Sequence, residues 1–211
     1  MKQELDALLC EKYPKMMVNR HKPMQETCMC WGFECGDGWY NILNQLMGNI
    51  QHHIDWRNES RERALEYNQM IEDCKHGDFR LFNDYYKSYL PNVVEQRMVE
   101  ILEESPRFVP EPVPQVVLDQ VKEKFGTLRF YYTGGDDVID GMVRMAESMS
   151  GVTCERCGAY AETNWPKSEN GGIGGWVRTI CKPCDEQREA ERTKQLEEYE
   201  FKKLLKQGHE Q

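Results

Sequence analysis

Two C-x-x-C pairs, C-E-R-C at 154–157 and C-K-P-C at 181–184, constrain this chain more than any other feature. A C-x-x-C turn offers two thiolates from one knuckle, and two such turns supply the four soft ligands of a tetrahedral zinc site. Residues 158–180 lie between the pairs, enough for a hairpin. The second pair stands at the start of a helix, where unpaired N–H groups and the helix dipole favour thiolate. Knuckle, hairpin and helix follow in the order of a treble clef. Four cysteines leave no open coordination position, so Zn2+ on Cys154, Cys157, Cys181 and Cys184 is expected to be structural. A pair of redox dithiols is the weaker alternative, because redox motifs rarely come doubled at this spacing.

The chain holds nine cysteines in 211 residues. Cys28, Cys30 and Cys35, with His52 or His53, offer a possible second metal site. C-x-C-x4-C is not a standard spacing, and buried free thiols behave as small hydrophobes. The net charge of −9 makes the chain a poor non-specific binder of bulk DNA, whose affinity comes from cations on phosphates. A local basic face remains compatible with that balance. There is no apolar run of membrane-spanning length, so no membrane partner is expected. The opening MKQELDALLCEKYP lacks the basic-then-apolar order of a signal peptide, which points to the cytoplasm.

Apolar spacing predicts a short helix over 3–12 with Leu5, Leu8 and Leu9 on one face. Asp37 is placed to cap a helix that starts near Trp39 and carries Ile42, Leu43, Leu46, Met47, Ile50 and Ile54. Residues 59–104 show partial helical periodicity, broken at Gly77 and Pro91. The segment SPRFVPEPVP reads as an extended exit from this helical insertion. From about Asp185 the chain becomes a long charged helix, with Glu198 and Lys202 at supportive spacing.

The segment VKEKFGTLRFYY threads Lys122, Lys124 and Arg129 between aromatic and apolar residues. It reads as a helix ending at Gly126, or as a hairpin turning at Gly126-Thr127, and the β-branched and aromatic content favours the hairpin. Alternation then puts Val121, Phe125, Leu128, Phe130 and Tyr132 on one face. Lys122, Lys124, Arg129 and Tyr131 fall on the other, with Lys124 opposite Arg129 and Lys122 opposite Tyr131. Glu123 lands on the core face and needs a partner. Facing cations suit an open, solvated face or a bound anion.

Trp39, Tyr40, Tyr131 and Trp176 are candidate stacking surfaces for a base, although such aromatics are more often core or boundary residues. Gly134 and Gly135 before a helix could offer backbone N–H groups to a phosphate, but Asp136 and Asp137 would cap that helix themselves and repel an anion. The sequence contains no G-x-S-x-G, Walker loop, H-E-x-x-H or deaminase signature.

ECGDGWY, QVKEKFGTLRFYYTGGDD, GMVRMAESMS and TCERCG with GWVRTIC together resemble a family of largely uncharacterised tailed-phage and prophage proteins. The resemblance covers residues 30–56 and 115–184. The family often continues TCERCG with Pro-Gly, where this chain has Ala159-Tyr160. The resemblance implies expression in the cytoplasm of an infected bacterial host, and a protein that acts by binding. Such proteins block a host factor or sequester a nucleotide signal of host defence.

The expected fold is α+β: a small antiparallel sheet with helices over 1–150, a helical insertion at 57–110, and a treble-clef-like zinc ribbon with a charged helix over 151–211. The expected function is non-enzymatic binding of a phosphate-bearing nucleotide by Lys122, Lys124 and Arg129, with Tyr131 or Trp39 stacking on the base. Two alternatives stand beside it. One is a protein inhibitor of a host factor using the ribbon and its helix. The other is a nucleic-acid module using Lys167, Trp176 and Arg178.

Overall fold

The computed structural model describes residues 1–168 and 174–208. The elements run α1 (Gln3–Lys12), β1 (Phe33–Glu34), α2 (Tyr40–Lys75), α3 (Arg80–Tyr86), α4 (Pro91–Glu103), β2 (Val117–Lys124), β3 (Thr127–Thr133), α5 (Asp137–Ser150), β4 (Thr163–Asn164), β5 (Arg178–Thr179) and α6 (Lys182–Gly208). They fall into two compact units, Met1–Gln51 with Gln115–Gln211, and His52–Pro114.

In the first unit the segment around VKEKFGTLRFYY is a hairpin, and β2 is the centre of a sheet ordered β1-β2-β3. The sheet is mixed, which corrects the antiparallel expectation: β1 runs parallel to β2, with Phe33 beside Val121 and Glu34 beside Lys122. A parallel neighbour needs a long crossover, and everything from α2 through α4 separates these two strands.

The hairpin turns at Phe125-Gly126, one residue earlier than the sequence suggested. Phe125 has φ +56° and Gly126 φ +77°. Two positive φ values mark the type I′ turn, whose twist matches that of the flanking strands. Left-handed backbone costs an ordinary L-residue roughly 1–2 kcal/mol, so phenylalanine is an expensive choice at this position. Glu123 supports the turn, its Oε1 accepting the Gly126 N–H at 2.6 Å. That bond is the partner its core-side position required.

Moving the turn shifts the register, so Lys122 faces Arg129, Lys124 faces Thr127, and Gln120 faces Tyr131 across a bulge at Asp119. The slip amounts to two residues in pairing. The paired strand residues therefore keep their expected faces, because side chains alternate with period two. Val121, Leu128 and Phe130 are buried, together with Ile139 and Val143 of α5 and Leu43 and Met47 of α2. Phe125 leaves the core face and is 56% exposed.

β3 is an edge strand, and α5 covers its unpaired donors with side chains. Leu128 N–H donates to Ser150 Oγ at 2.8 Å and Phe130 N–H to Glu147 Oε1 at 3.0 Å. This satisfies groups that would otherwise template pairing with another chain. α5 is itself capped by Asp136, whose carboxylate accepts the Ile139 N–H at 3.1 Å.

In α1, Leu9 is buried, whereas Leu8 is 49% exposed and the inward place is taken by Asp6. That carboxylate accepts the Phe33 N–H at 3.0 Å and pairs with Arg20 at 3.2 Å, so the inward charge is neutralised. Asp37 does not cap α2. It begins the tight turn Asp37–Trp39 before the helix, accepts the Lys2 N–H at 2.7 Å and pairs with Lys2 Nζ at 3.2 Å.

The second unit is helical. Tyr67, Met70, Ile71, Phe82, Tyr86 and Ile101 form its core. Gly77, at φ +83°, separates α2 from α3, and Pro91 opens α4 at the position where its missing N–H costs nothing. The proline-rich exit runs back along α2. Asn58 bonds both N–H and C=O of Val113, and Arg61 Nη1 donates to Pro110 O at 2.7 Å.

Candidate functional site

The sulfur atoms of Cys154, Cys157, Cys181 and Cys184 lie within 4.8 Å of one another. Tetrahedral zinc with bonds of about 2.3 Å spaces its sulfurs about 3.8 Å apart. Cys157 Sγ and Cys181 Sγ are 3.6 Å apart, which fits. Local structure explains the arrangement. The first knuckle closes through Gly158, at φ +79°, whose N–H donates to Cys154 O at 2.8 Å. The second pair brackets the start of α6, with Cys184 in its first turn. Between them β4 and β5 pair Thr163 with Thr179 and Asn164 with Arg178. The tip of this hairpin, 169–173, lies outside the described residues.

The thiols are unequal. Burial pushes Cys154 up, but N–H groups of Cys181, Cys157 and Arg156 outweigh it and bring the thiol down to about 7. Burial and the neighbouring sulfurs push Cys184 up to about 12. Four thiolates this close repel one another, and a divalent cation reverses that balance. The donor set therefore fits zinc, held by all four cysteines. Held by four protein ligands, a zinc ion would supply cohesion and leave no open position for a substrate.

Sequence reasoning missed what this knuckle holds. Glu155 clamps the turn before α2: Gly38 N–H donates to Glu155 O and Gly36 N–H to Glu155 Oε1, both at 2.8 Å. The clamp continues to β5, since Glu155 N–H donates to Thr179 O at 2.9 Å. Thr179 Oγ1 in turn donates to Gly126 O, in the hairpin turn. A β-carbon on Gly126 would sit 2.8 Å from Thr163 Cγ2, so the turn packs directly on the ribbon. The glycines flanking Asp37 in CGDGWY were the legible trace of this contact.

The hairpin cations share a face as expected. Lys122 Nζ stands 5.5 Å from the Tyr131 ring centroid, and Tyr131 is 42% exposed. Arg129 is held on its strand by bonds from Nη1 to Thr127 Oγ1 and to Leu128 O, both 2.7 Å. Lys124 Nζ lies 5.6 Å from the Phe125 ring centroid. Trp39 is a correction: it is fully buried, its indole N–H donating to Thr153 O at 2.8 Å, so it presents no ring to a base. Of the ribbon residues, Trp176 is 66% exposed and accepts at its carbonyl from Arg178 Nη1, while Lys167 is exposed.

Among the described residues, Cys28, Cys30 and Cys35 do not assemble a second cluster of metal-ligating groups. Cys35 is buried, which pushes its thiol up to about 12, and Cys30 Sγ bonds Thr27 O at 3.2 Å. Gly134 backs tightly onto Gln115 O, and Asp136 fills the helix cap behind it, so no phosphate cradle is formed there. Among the described residues no helix is long and apolar enough to cross a membrane. No family model, curated protein or solved structure matches the chain.

Proposed function

We propose that the protein is a non-enzymatic binding protein, stapled by one structural zinc, whose hairpin face takes a phosphate-bearing nucleotide. The observation that carries this reading is the cross-strand pair Lys122–Arg129, with Lys124 beside it at the turn. Like charges directly opposite one another on a sheet are unfavourable. Glu34, the register partner of Lys122 on β1, accepts from Gln120 Nε2 at 2.9 Å, and one carboxylate beside three cations leaves the face net positive. An anion lying over the face converts their repulsion into attraction. The same cations stay local on an acidic chain, so they attract a small phosphate ligand without coating DNA. In the infected bacterial cytoplasm that the family resemblance implies, such a protein would sequester a nucleotide signal.

The test is calorimetric titration of the zinc-loaded protein with AMP, GMP, CMP and UMP. Replacing Lys124 and Arg129 together by alanine is expected to weaken binding at least tenfold, with little change in Tm, because Lys124 is exposed and the Arg129 bonds reach only its own strand. Unchanged affinity in the double variant would remove the hairpin face from the site.

A further inference from the structure

The turn that carries Phe125 stands against the ribbon, and a cleft of about 220 Å³ lies between them. Its walls are Phe125 and Lys124 on the hairpin side and Gly175, Trp176 and Val177 on the ribbon side, with Glu123 beneath the turn. We propose that this cleft receives the base of a nucleoside phosphate, with Phe125 and Trp176 as its aromatic walls and Lys124 as the first contact of the phosphate. The assignment rests on the nucleotide reading above and moves base recognition from Trp39 and Tyr131 to a different pair of rings.

Strain, exposure, size and charge converge on it. Phe125 is the one non-glycine residue with positive φ among those described. Asparagine, aspartate or glycine would suit that turn position better, so the fold alone gives no reason for a phenylalanine there. Its ring also contributes little to the core, being 56% exposed, and Trp176 across the cleft is 66% exposed. Backbone strain retained where it brings little packing is a pattern found at ligand contacts. The cleft's size then limits the occupant. Sites for whole drug-sized ligands span roughly 300–1,000 Å³, so this smaller space suits a single flat ring system with the rest of the ligand outside.

Charge supplies the direction in which the ligand leaves. Lys124 lines the cleft and holds its ammonium 5.6 Å from the Phe125 centroid. Arg129 and Lys122 continue along the same hairpin face. The one acid in the lining, Glu123, is engaged by the Gly126 N–H at 2.6 Å. A base between aromatic side chains gains stacking that tolerates any sequence, and a phosphate emerging toward Lys124 meets its counter-charge. Zinc enters as the support of one wall, because Val177 and Trp176 lead into β5 and the second cysteine pair.

Phe125→Asn separates function from folding, since asparagine relieves the positive-φ strain while deleting the ring. Titrated calorimetrically with the same four mononucleotides, this variant is expected to bind at least tenfold more weakly than wild type while its Tm stays the same or rises. Trp176→Leu is expected to lose affinity to a similar degree, and AMP is expected to bind more tightly than either adenosine or inorganic phosphate. Wild-type affinity in both ring variants, with loss in the Lys124/Arg129 double alanine variant, would overturn the cleft and leave the hairpin-face reading standing. Absence of binding by all four mononucleotides at millimolar concentration to zinc-loaded wild type would overturn both.

Discussion

Gly38 and Glu155 are joined backbone to backbone, the Gly38 N–H donating to the Glu155 carbonyl at 2.8 Å, and this bond ties the first cysteine knuckle to the start of α2. The two residues lie far apart in sequence. Their contact makes the cysteine cluster an internal staple of the first unit, since the same knuckle reaches the hairpin turn through Thr179 and Gly126. A metal held by these four cysteines would therefore also steady the hairpin turn, to which the knuckle is bonded through Thr179.

Gly38→Ala tests how tight that junction is. An added β-carbon would lie 2.5 Å from Gly158 N and 2.8 Å from Cys157 N, and closer still to Cys154 O. These are backbone atoms that cannot swing aside. Overpacking of this kind costs about 1–3 kcal/mol or more, and a chain of this size loses roughly 2–4 °C per kcal/mol. The expected result is a Tm lowered by about 5 °C in calorimetry of the zinc-loaded protein.

Ser150→Ala tests the covered sheet edge. Ser150 is fully buried, and its hydroxyl accepts from Leu128 N–H while donating to Glu147 O. Alanine leaves a buried N–H without an acceptor, a loss of about 1–3 kcal/mol. Urea denaturation should report a lower midpoint at unchanged slope, and the Leu128 amide should exchange faster. Glu147→Gln, which keeps an acceptor for Phe130 N–H, should behave much closer to wild type.

Asp37 gives a pH signature. Partial burial alone would raise its pKa, but the Lys2 N–H, the Lys2 ammonium and the N-terminal charge outweigh it and hold the carboxyl below its ordinary value of 3.8. A carboxyl depressed in the folded state stabilises above its unfolded pKa, and that stabilisation fades as pH falls through the folded value. Asp37→Asn is thus expected to lower Tm at pH 7, with the difference from wild type closing as pH falls below the ordinary carboxyl value of 3.8 and through the lower folded one. A gap that persists unchanged to low pH would assign the effect to packing.

The four-cysteine cluster was legible because ligand type and short spacing are both written in the chain. The hairpin faces were legible for a similar reason, since alternation survives a register slip of two. The turn itself was misplaced because Gly126 is the obvious left-handed residue, and nothing local announces that Phe125 shares its conformation. Burial of Asp6 and of Trp39 depended on distant partners, Arg20 with Phe33 in one case and Thr153 in the other. The parallel β1 was hidden in a segment of two paired residues, too short for periodicity to register. Glu155 lay in plain view between two ligands, but its role belongs to a turn brought to it only by folding.

The most direct measurement is the metal content of the protein as purified, by native followed by denaturing mass spectrometry, with Tm recorded before and after chelation. A zinc-stapled fold predicts one zinc per chain in the native mass, its loss on denaturation, and a marked fall in Tm when the metal is removed. A metal-free native mass, with a Tm that does not change on adding zinc or chelator, would contradict it.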